Sequence, residues 1–71
     1  MDAKVTQVYS YPMGNTTIDV VYVEYAGGGE CWEFSVFERS EIRHTSENGY
    51  GSPEAAASDG FKWLLENKTR F

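Results

Sequence analysis

One cysteine, one histidine and eleven acidic side chains are the groups of this chain that could perform catalysis or hold a metal ion. Cys31 lies near Glu30 and Glu33, whose negative charge disfavours the thiolate that a nucleophile requires. His44 would need a nucleophile or a carboxylate brought to it by the fold, and one cysteine with one histidine does not make a structural zinc site. We therefore predict no catalytic residue, no metal site and no cofactor.

The glycine run and the scattered acids do not match ligand-binding motifs either. Gly27-Gly28-Gly29 lacks the Gly-Lys-Ser/Thr ending of a phosphate-binding loop and a helix after it, and Glu30 would repel phosphate. The acidic residues do not have the spacing of a calcium-binding loop. A domain of a few strands and one helix has little depth for a catalytic cleft, so an enzyme is the least favoured class.

Length and charge indicate one small acidic domain. The chain has 71 residues, a net charge of -5 and 41% apolar residues, a composition typical of a folded protein. Its acidity argues against general nucleic-acid binding, which depends on lysine and arginine. We expect a cytoplasmic protein without a membrane segment, because the sequence contains neither a secretory signal pattern nor an apolar run of about 20 residues. A core this small without a disulfide favours stabilisation by a homodimer.

The elements that must position any site are three β-prone segments and one helix. Strands are predicted at about 4–11, 16–26 and 30–38, and the helix at about 53–67. Ser52 can cap the helix, Pro53 suits its first turn, and the negative charge of Glu54 is favourable at the positive end of the helix dipole. Residues 39–51 connect them and have room for a short strand around 41–45. The predicted fold is α+β, a three-stranded antiparallel meander, extended by that short fourth strand if it forms, with one C-terminal helix packed on one face.

The lengths of the two hairpin loops decide which side chains share a face. A four-residue turn at Pro12–Asn15 would pair Tyr9 with Ile18, and a three-residue loop at Gly27–Gly29 would pair Val20 with Val36. We prefer these loops because they gather the large apolar side chains on the single face that one helix can cover. The core face then comprises Val5, Tyr9, Tyr11, Ile18, Val20, Tyr22, Trp32, Phe34 and Val36.

The helix should face the sheet with one apolar stripe. Spacing predicts that this stripe comprises Ala57, Phe61, Leu64, Leu65 and the stem of Lys68. Gly60 would allow a close approach of helix and sheet, and Trp63 on the flank either packs at the sheet edge or serves as an interface anchor.

The sheet face away from the helix is the predicted interaction surface. It keeps Val8, Val21, Val23, Tyr25 and Phe37, more apolar side chains than a solvated face needs, and such patches often mark association. The alternative is that the N-terminus or the fourth strand covers it. Residues 1–38 contain six acids and one base, which indicates a basic partner or simply a soluble strand surface. The predicted interaction residues are Asp19, Val21, Val23, Tyr25, Glu33 and Phe37.

A second hypothesis comes from the order of the elements. Three strands followed by a helix that opens on Gly49-Tyr50-Gly51-Ser52-Pro53-Glu54-Ala55-Ala56 resemble the layout of the DNA-binding domains of phage-type integrases and plant ethylene-response factors, and the last part of double-stranded-RNA-binding domains. This resemblance implies nucleic-acid binding, with Arg39, Arg43 and Lys62 as candidate contacts. It departs from those families at Glu30, Glu33, Pro53 and Glu54, where they carry arginine or lysine.

The favoured prediction is a non-catalytic interaction or regulatory module. Its expected partner is a basic or nucleic-acid-binding protein, or a second copy of the chain. Small acidic chains of this kind are typical products of phages and mobile elements, which often block a host nucleic-acid-binding protein.

Overall fold

The computed structural model describes residues 3–67, which form a four-stranded antiparallel sheet with one helix on one face. Strands follow chain order in the sheet: β1 (Ala3–Met13), β2 (Thr16–Tyr25), β3 (Glu30–Glu38) and β4 (Glu41–Thr45), followed by helix α1 (Pro53–Asn67). The α+β fold and the helix bounds are confirmed. The short fourth strand is present, and it pairs with β3 at the edge of the sheet. No helix within residues 3–67 is long and apolar enough to cross a membrane.

The β1–β2 connection is a two-residue turn, Gly14–Asn15, and the four-residue turn predicted here is wrong. Gly14 has a φ of 65°, which suits the first central position of a type II′ turn, whose twist matches that of the paired strands. The tighter turn places Tyr9 opposite Val20 instead of Ile18. A shift of two residues preserves the faces, so Tyr9 remains on the helix side.

The β2–β3 loop has the predicted three residues, but it comprises Ala26–Gly28, one residue earlier than predicted. The amide of Gly28 donates to the carbonyl of Tyr25 at 2.9 Å, and its φ of 106° is accessible mainly to glycine. Val20 therefore lies opposite Phe34 rather than its predicted partner. This is again a two-residue shift, and the predicted faces of both strands are retained.

A bulge in β1 moves one residue from the predicted core to the other face. The register changes between Val5 and Gln7, which leaves Thr6 as the extra residue and places Val5 opposite Val23. Val5 is 52% exposed on the face away from α1, so its predicted core position is wrong. A bulge twists the end of an edge strand, and nothing in the alternation of residue types around Thr6 signals it.

The β3–β4 turn holds two residues in the left-handed region, Arg39 with a φ of 52° and Ser40 with a φ of 73°. These are angles of a type I′ turn, in which asparagine and glycine are favoured. The amide of Arg39 donates to the carbonyl of Asn15 at 2.8 Å, which joins the two turns at one end of the sheet.

The core lies between α1 and the central strands β2 and β3. Its buried side chains are Ile18, Val20, Phe34, Val36 and Ala56. A Cβ atom on Gly60 would lie 3.1 Å from Cγ2 of Ile18 and 3.3 Å from two ring atoms of Phe34. Glycine therefore permits the close approach of helix and sheet that the sequence predicted for this position.

The buried side of α1 is rotated relative to the predicted stripe. It is centred on Ala56 and Gly60, both buried, while Leu65 is 69% exposed and its predicted place in the core is wrong. Partly buried side chains pack beside these two residues: Ala57 and the larger Phe61, Trp63 and Leu64. The closest approach occurs where the side chains are smallest, which spacing alone does not reveal. Lys68 lies outside the described residues.

Candidate interaction surface

The open face, defined as the sheet face opposite α1, contains all six predicted interaction residues. Strand alternation and the observed registers place on it these apolar or sulfur-containing residues: Val5, Val8, Val21, Val23, Tyr25, Cys31, Phe37 and Ile42. The same registers place on it these polar residues: Ser10, Thr17, Asp19, Glu33, Ser35 and Thr45. β4 lies beside β3 in the plane of the sheet, so the alternative in which the fourth strand covers this face is wrong.

The predicted residues differ in how much surface they present. Tyr25 is 37% exposed, whereas Val21 and Phe37 are half-buried. Val23 is only 4% exposed, so its side chain, although on this face, offers almost no area to a partner. Further exposed apolar surface comes from residues that the sequence argument did not include in its candidate site: Val5, Val8 and Ile42.

Glu33 lies at the centre of a hydrogen-bonded cluster on the open face. The hydroxyl of Tyr25 donates to Oε2 of Glu33, and the thiol of Cys31 donates to the same oxygen at 3.6 Å. The bond to Glu33, aided by desolvation, raises the pKa of Tyr25 to about 12. Burial, followed by the negative charge of Glu33, raises the pKa of Cys31. The thiol is therefore protonated at neutral pH and is a poor nucleophile.

Asp19 is the second carboxylate of the open face. The hydroxyl of Ser10 donates to its Oδ1 at 2.8 Å, which orients the carboxylate. It borders a shallow depression of about 400 Å³ near the two turns, and this depression is lined by Ser10, Thr17, Asp19, Phe37 and Ser40. An aromatic ring and an oriented carboxylate thus share one concavity.

The charge of the open face is entirely negative across the described residues. Asp19 is paired with Ser35, and the next pair on this face joins Val21 to Glu33, so the two carboxylates are diagonal neighbours on adjacent strands. Among the described residues, the registers assign neither lysine nor arginine to this face; Arg43, the extra residue of the β4 bulge, is ion-paired with Glu38. A cation supplied by a partner would meet two acceptors on one surface.

The three basic residues of the nucleic-acid hypothesis lie elsewhere, and two of them, Arg43 and Lys62, are accompanied by acids. Nη2 of Arg43 lies 2.9 Å from Oε1 of Glu38 in an ion pair. Arg39 occupies the β3–β4 turn. Lys62 of α1 lines a groove that also contains Glu47, Asp59 and Glu66. These positions do not build an uncompensated positive surface.

The groove beside Lys62 is a site that the sequence argument missed. Its volume is about 350 Å³, and its aromatic lining comprises Phe34, His44, Tyr50 and Trp63. The ring of His44 stacks on Trp63 at a centroid distance of 4.5 Å and an angle of 8°. Pairing of His44 with Val36 in β4 places it on the helix side, where it is half-buried. Ile42, two residues earlier, lies on the open face, because the register changes between Val36 and Phe37 and leaves Arg43 as the extra residue of a bulge in β4. Nothing in the alternation of residue types signals this bulge.

Two further observations bear on chemistry. His44 lies on the helix side of the sheet and Cys31 on the open face, so the sheet separates the two groups that a cysteine–histidine pair would need to join. Within residues 3–67, no three histidine, cysteine, aspartate or glutamate side chains are grouped to hold a metal ion.

Comparison of the chain with protein-family models, with curated proteins and with solved structures finds no match.

Proposed function

We propose that this chain is a small, acidic, non-catalytic interaction module that binds a basic protein partner through its open face. One observation carries the proposal: exposed apolar side chains lie beside two carboxylates, Asp19 and Glu33, on a face to which the strand registers of the described residues assign no basic side chain. This combination favours a partner that buries apolar area and supplies positive charge.

The two carboxylates are prepared acceptors. Each already accepts a hydroxyl hydrogen bond, Asp19 from Ser10 and Glu33 from Tyr25, and an ionised carboxylate retains further lone pairs after one such bond. Lysine or arginine of a partner can donate to these oxygens in charge-assisted bonds, which are stronger than neutral ones. Because the acceptors are held in place, less side-chain entropy is lost on binding.

The depression beside Asp19 favours arginine in particular. Phe37 offers an aromatic ring and Asp19 a carboxylate within the same concavity. A planar guanidinium can stack on the ring while it donates to the carboxylate, which an ammonium group does less well. Nucleic-acid-binding proteins present arginine-rich surfaces, so we include them among the proposed partners. A phage or mobile element that targets such a protein is the origin we propose for the chain.

Nucleic acid itself is the less favoured ligand. Phosphate would meet the uncompensated charges of Asp19 and Glu33 on the open face. The resemblance to integrase-type domains implies binding through a sheet rich in arginine and lysine, and the acidic open face departs from that pattern.

The test measures where a basic probe binds. We would titrate the isotope-labelled protein with a short peptide of alternating arginine and leucine, and separately with duplex DNA, and follow backbone amide signals by NMR. The peptide should shift amides of β2 and β3, and its affinity should fall with added salt. Asp19→Asn combined with Glu33→Gln should weaken peptide binding roughly tenfold, as expected for the loss of two partly solvated charge-assisted bonds.

A matched control separates local contacts from net charge. Glu41→Gln combined with Glu66→Gln removes the same charge from exposed positions on the hairpin and the helix, and it should change the affinity much less. An equal loss in both double variants would reduce the proposal to non-specific attraction. DNA-induced shifts at Arg39, Arg43 and Lys62 would establish the alternative.

A further inference from the structure

β1 is the long edge strand of the sheet. Its 11 residues are all exposed, and it pairs only with β2 among the elements that the structure describes. The outer side of an edge strand presents unpaired N–H and C=O groups, which are a template for pairing with another strand.

The turn geometry identifies the groups that point outward. Met13 and Thr16 flank a two-residue turn, so they exchange hydrogen bonds with each other, and alternate residues along β1 then face β2. The backbone groups of Val8, Ser10 and Pro12 therefore point away from the sheet. The position of Pro12 agrees with this assignment, because proline in a strand is tolerated where its missing N–H would face solvent.

The ends of β1 carry features that hinder pairing, while its centre does not. The bulge at Thr6 distorts one end and Pro12 lies near the other, and both devices discourage edge-to-edge association. The residues between them are β-prone and uncharged. Across Ala3–Met13 there is no aspartate or glutamate, although the whole chain has a net charge of -5.

We propose that a second copy of the chain pairs with β1 in antiparallel orientation, centred on Ser10, and joins two four-stranded sheets into one. In this register, the Ser10 amides and carbonyls of the two copies bond to each other, and each Val8 amide donates to the Pro12 carbonyl of the second copy. Tyr9 lies opposite Tyr11 of the second copy on the helix side. The interface uses the edge of the sheet and is independent of the proposed function of the open face.

Charge and aromatic packing favour a second copy over another occupant. Like charges directly opposite one another destabilise paired strands, and β1 is a strand on which two acidic chains can meet without placing carboxylates opposite each other. Tyr9 and Tyr11 remain 45% and 37% exposed. They are nevertheless oriented by ring contacts within the chain, Tyr9 with Trp32 and Tyr11 with Phe61, each at a centroid distance of 5.7 Å. β1 itself carries no carboxylate, and Glu54 is the one acidic residue that lines the depression beside Tyr9 and Tyr11. The open face offers two carboxylates, Asp19 and Glu33, so the charge of a basic peptide directs it there.

The decisive variants are Ser10→Pro and Ser10→Ala. Both lose the hydroxyl bond to Asp19, but only proline removes the outward N–H. Sedimentation equilibrium across a range of concentrations should show a dimer for the unsubstituted protein and for Ser10→Ala. Ser10→Pro should raise the dimer dissociation constant at least tenfold, because two symmetry-related hydrogen bonds are lost. Circular dichroism and the amide spectrum should show that its fold is retained.

Hydrogen exchange of the unsubstituted protein covers the case in which Ser10→Pro does not fold. The amides of Val8 and Ser10 should become protected as concentration rises, whereas the Tyr9 amide, bonded to β2, should be protected at every concentration. A monomer at all concentrations, or concentration-independent exchange at Ser10, would overturn the proposal. So would a dimer that survives Ser10→Pro or dissociates on Asp19→Asn with Glu33→Gln, since the latter would place the contact on the open face.

Discussion

Replacing Gly60 with alanine tests the close contact between α1 and the sheet. The added Cβ would lie 3.1 Å from Cγ2 of Ile18 and 3.3 Å from ring atoms of Phe34, whereas carbon atoms pack best at about 3.5–4.0 Å. Ile18 is completely buried and Phe34 is 3% exposed, so neither neighbour has open space into which it can retreat.

Two opposing effects set the magnitude. Alanine stabilises a helix interior by about 1 kcal/mol relative to glycine. Overpacking of a closed core costs about 1–3 kcal/mol, and contacts on two buried side chains place Gly60→Ala near the middle of that range. The free energy of unfolding should therefore fall by about 1 kcal/mol, which lowers the melting temperature by about 4–8 °C in a domain of this size.

The assay is urea unfolding of Gly60→Ala beside a helix-propensity control in the same helix. Ser58 is exposed two residues earlier, so the difference between Ser58→Ala and Ser58→Gly measures the preference for alanine without a packing contact. Alanine should be the more stable residue at position 58 and the less stable one at position 60. In combination with Ile18→Ala, which removes the closest atom, Gly60→Ala should cost less than it does alone.

Stabilisation of the protein by Gly60→Ala, by the amount measured at position 58, would rule out a tight contact at Gly60. The helix would then stand far enough from the sheet, or move away from it easily enough, to accept the methyl group. Glycine at this position would have no packing role.

Two further predictions concern the tyrosines and the β3–β4 turn. Hydrogen bonds to Glu30 and Glu33, respectively, raise the pKa values of Tyr22 and Tyr25 from 10.0 to about 12. Burial and the bond to Asp59 also raise the pKa of Tyr50, so ultraviolet titration should show three tyrosines that ionise late, with Tyr22 and Tyr25 near pH 12. The two tyrosine–glutamate hydrogen bonds contribute to stability below pH 10, and this contribution is lost as the pH rises toward 12. Glu33→Gln should remove the late ionisation of Tyr25. An unchanged titration curve would contradict the assignment. Ser40→Gly should raise the free energy of unfolding by about 1 kcal/mol, because glycine adopts the left-handed conformation of Ser40 without steric cost. Destabilisation in urea unfolding would show that the Ser40 side chain contributes more than its backbone conformation costs.

The bounds of the helix and of the shorter strands follow from residue types close to them in the sequence. Ser52 lies before Pro53 at the predicted helix start, and its Oγ accepts from the amide of Ala55 at 3.1 Å. A capping residue acts on amides within its own turn, so its type alone predicts the start of α1. The bounds of β3 and the short strand at Glu41–Thr45 likewise follow from residue types within a few positions.

Which residues share a face also followed from the sequence, even where the pairing did not. Both hairpins differ from prediction by two residues, because Gly14 and Gly28 permit turns at positions that composition alone did not distinguish. Side chains alternate with a period of two, so such an error leaves Asp19, Val21 and Phe37 on the predicted face. The bulge at Thr6 changes the register by one residue, and for this reason Val5 was assigned to the wrong side.

Tertiary packing alone decided how much of each candidate residue a partner can reach. Val23 and Tyr25 lie on the same face of one strand, yet the first is 4% and the second 37% exposed. Likewise, the helix turns its smallest residues, Ala56 and Gly60, toward the sheet and leaves Leu65 in solvent. Residue type and spacing assign a side chain to a face, but burial depends on the neighbours that several chain segments bring together. The sequence by itself thus determined the elements, the faces and the acidic character of the open face, and the packed structure determined which of its side chains are accessible.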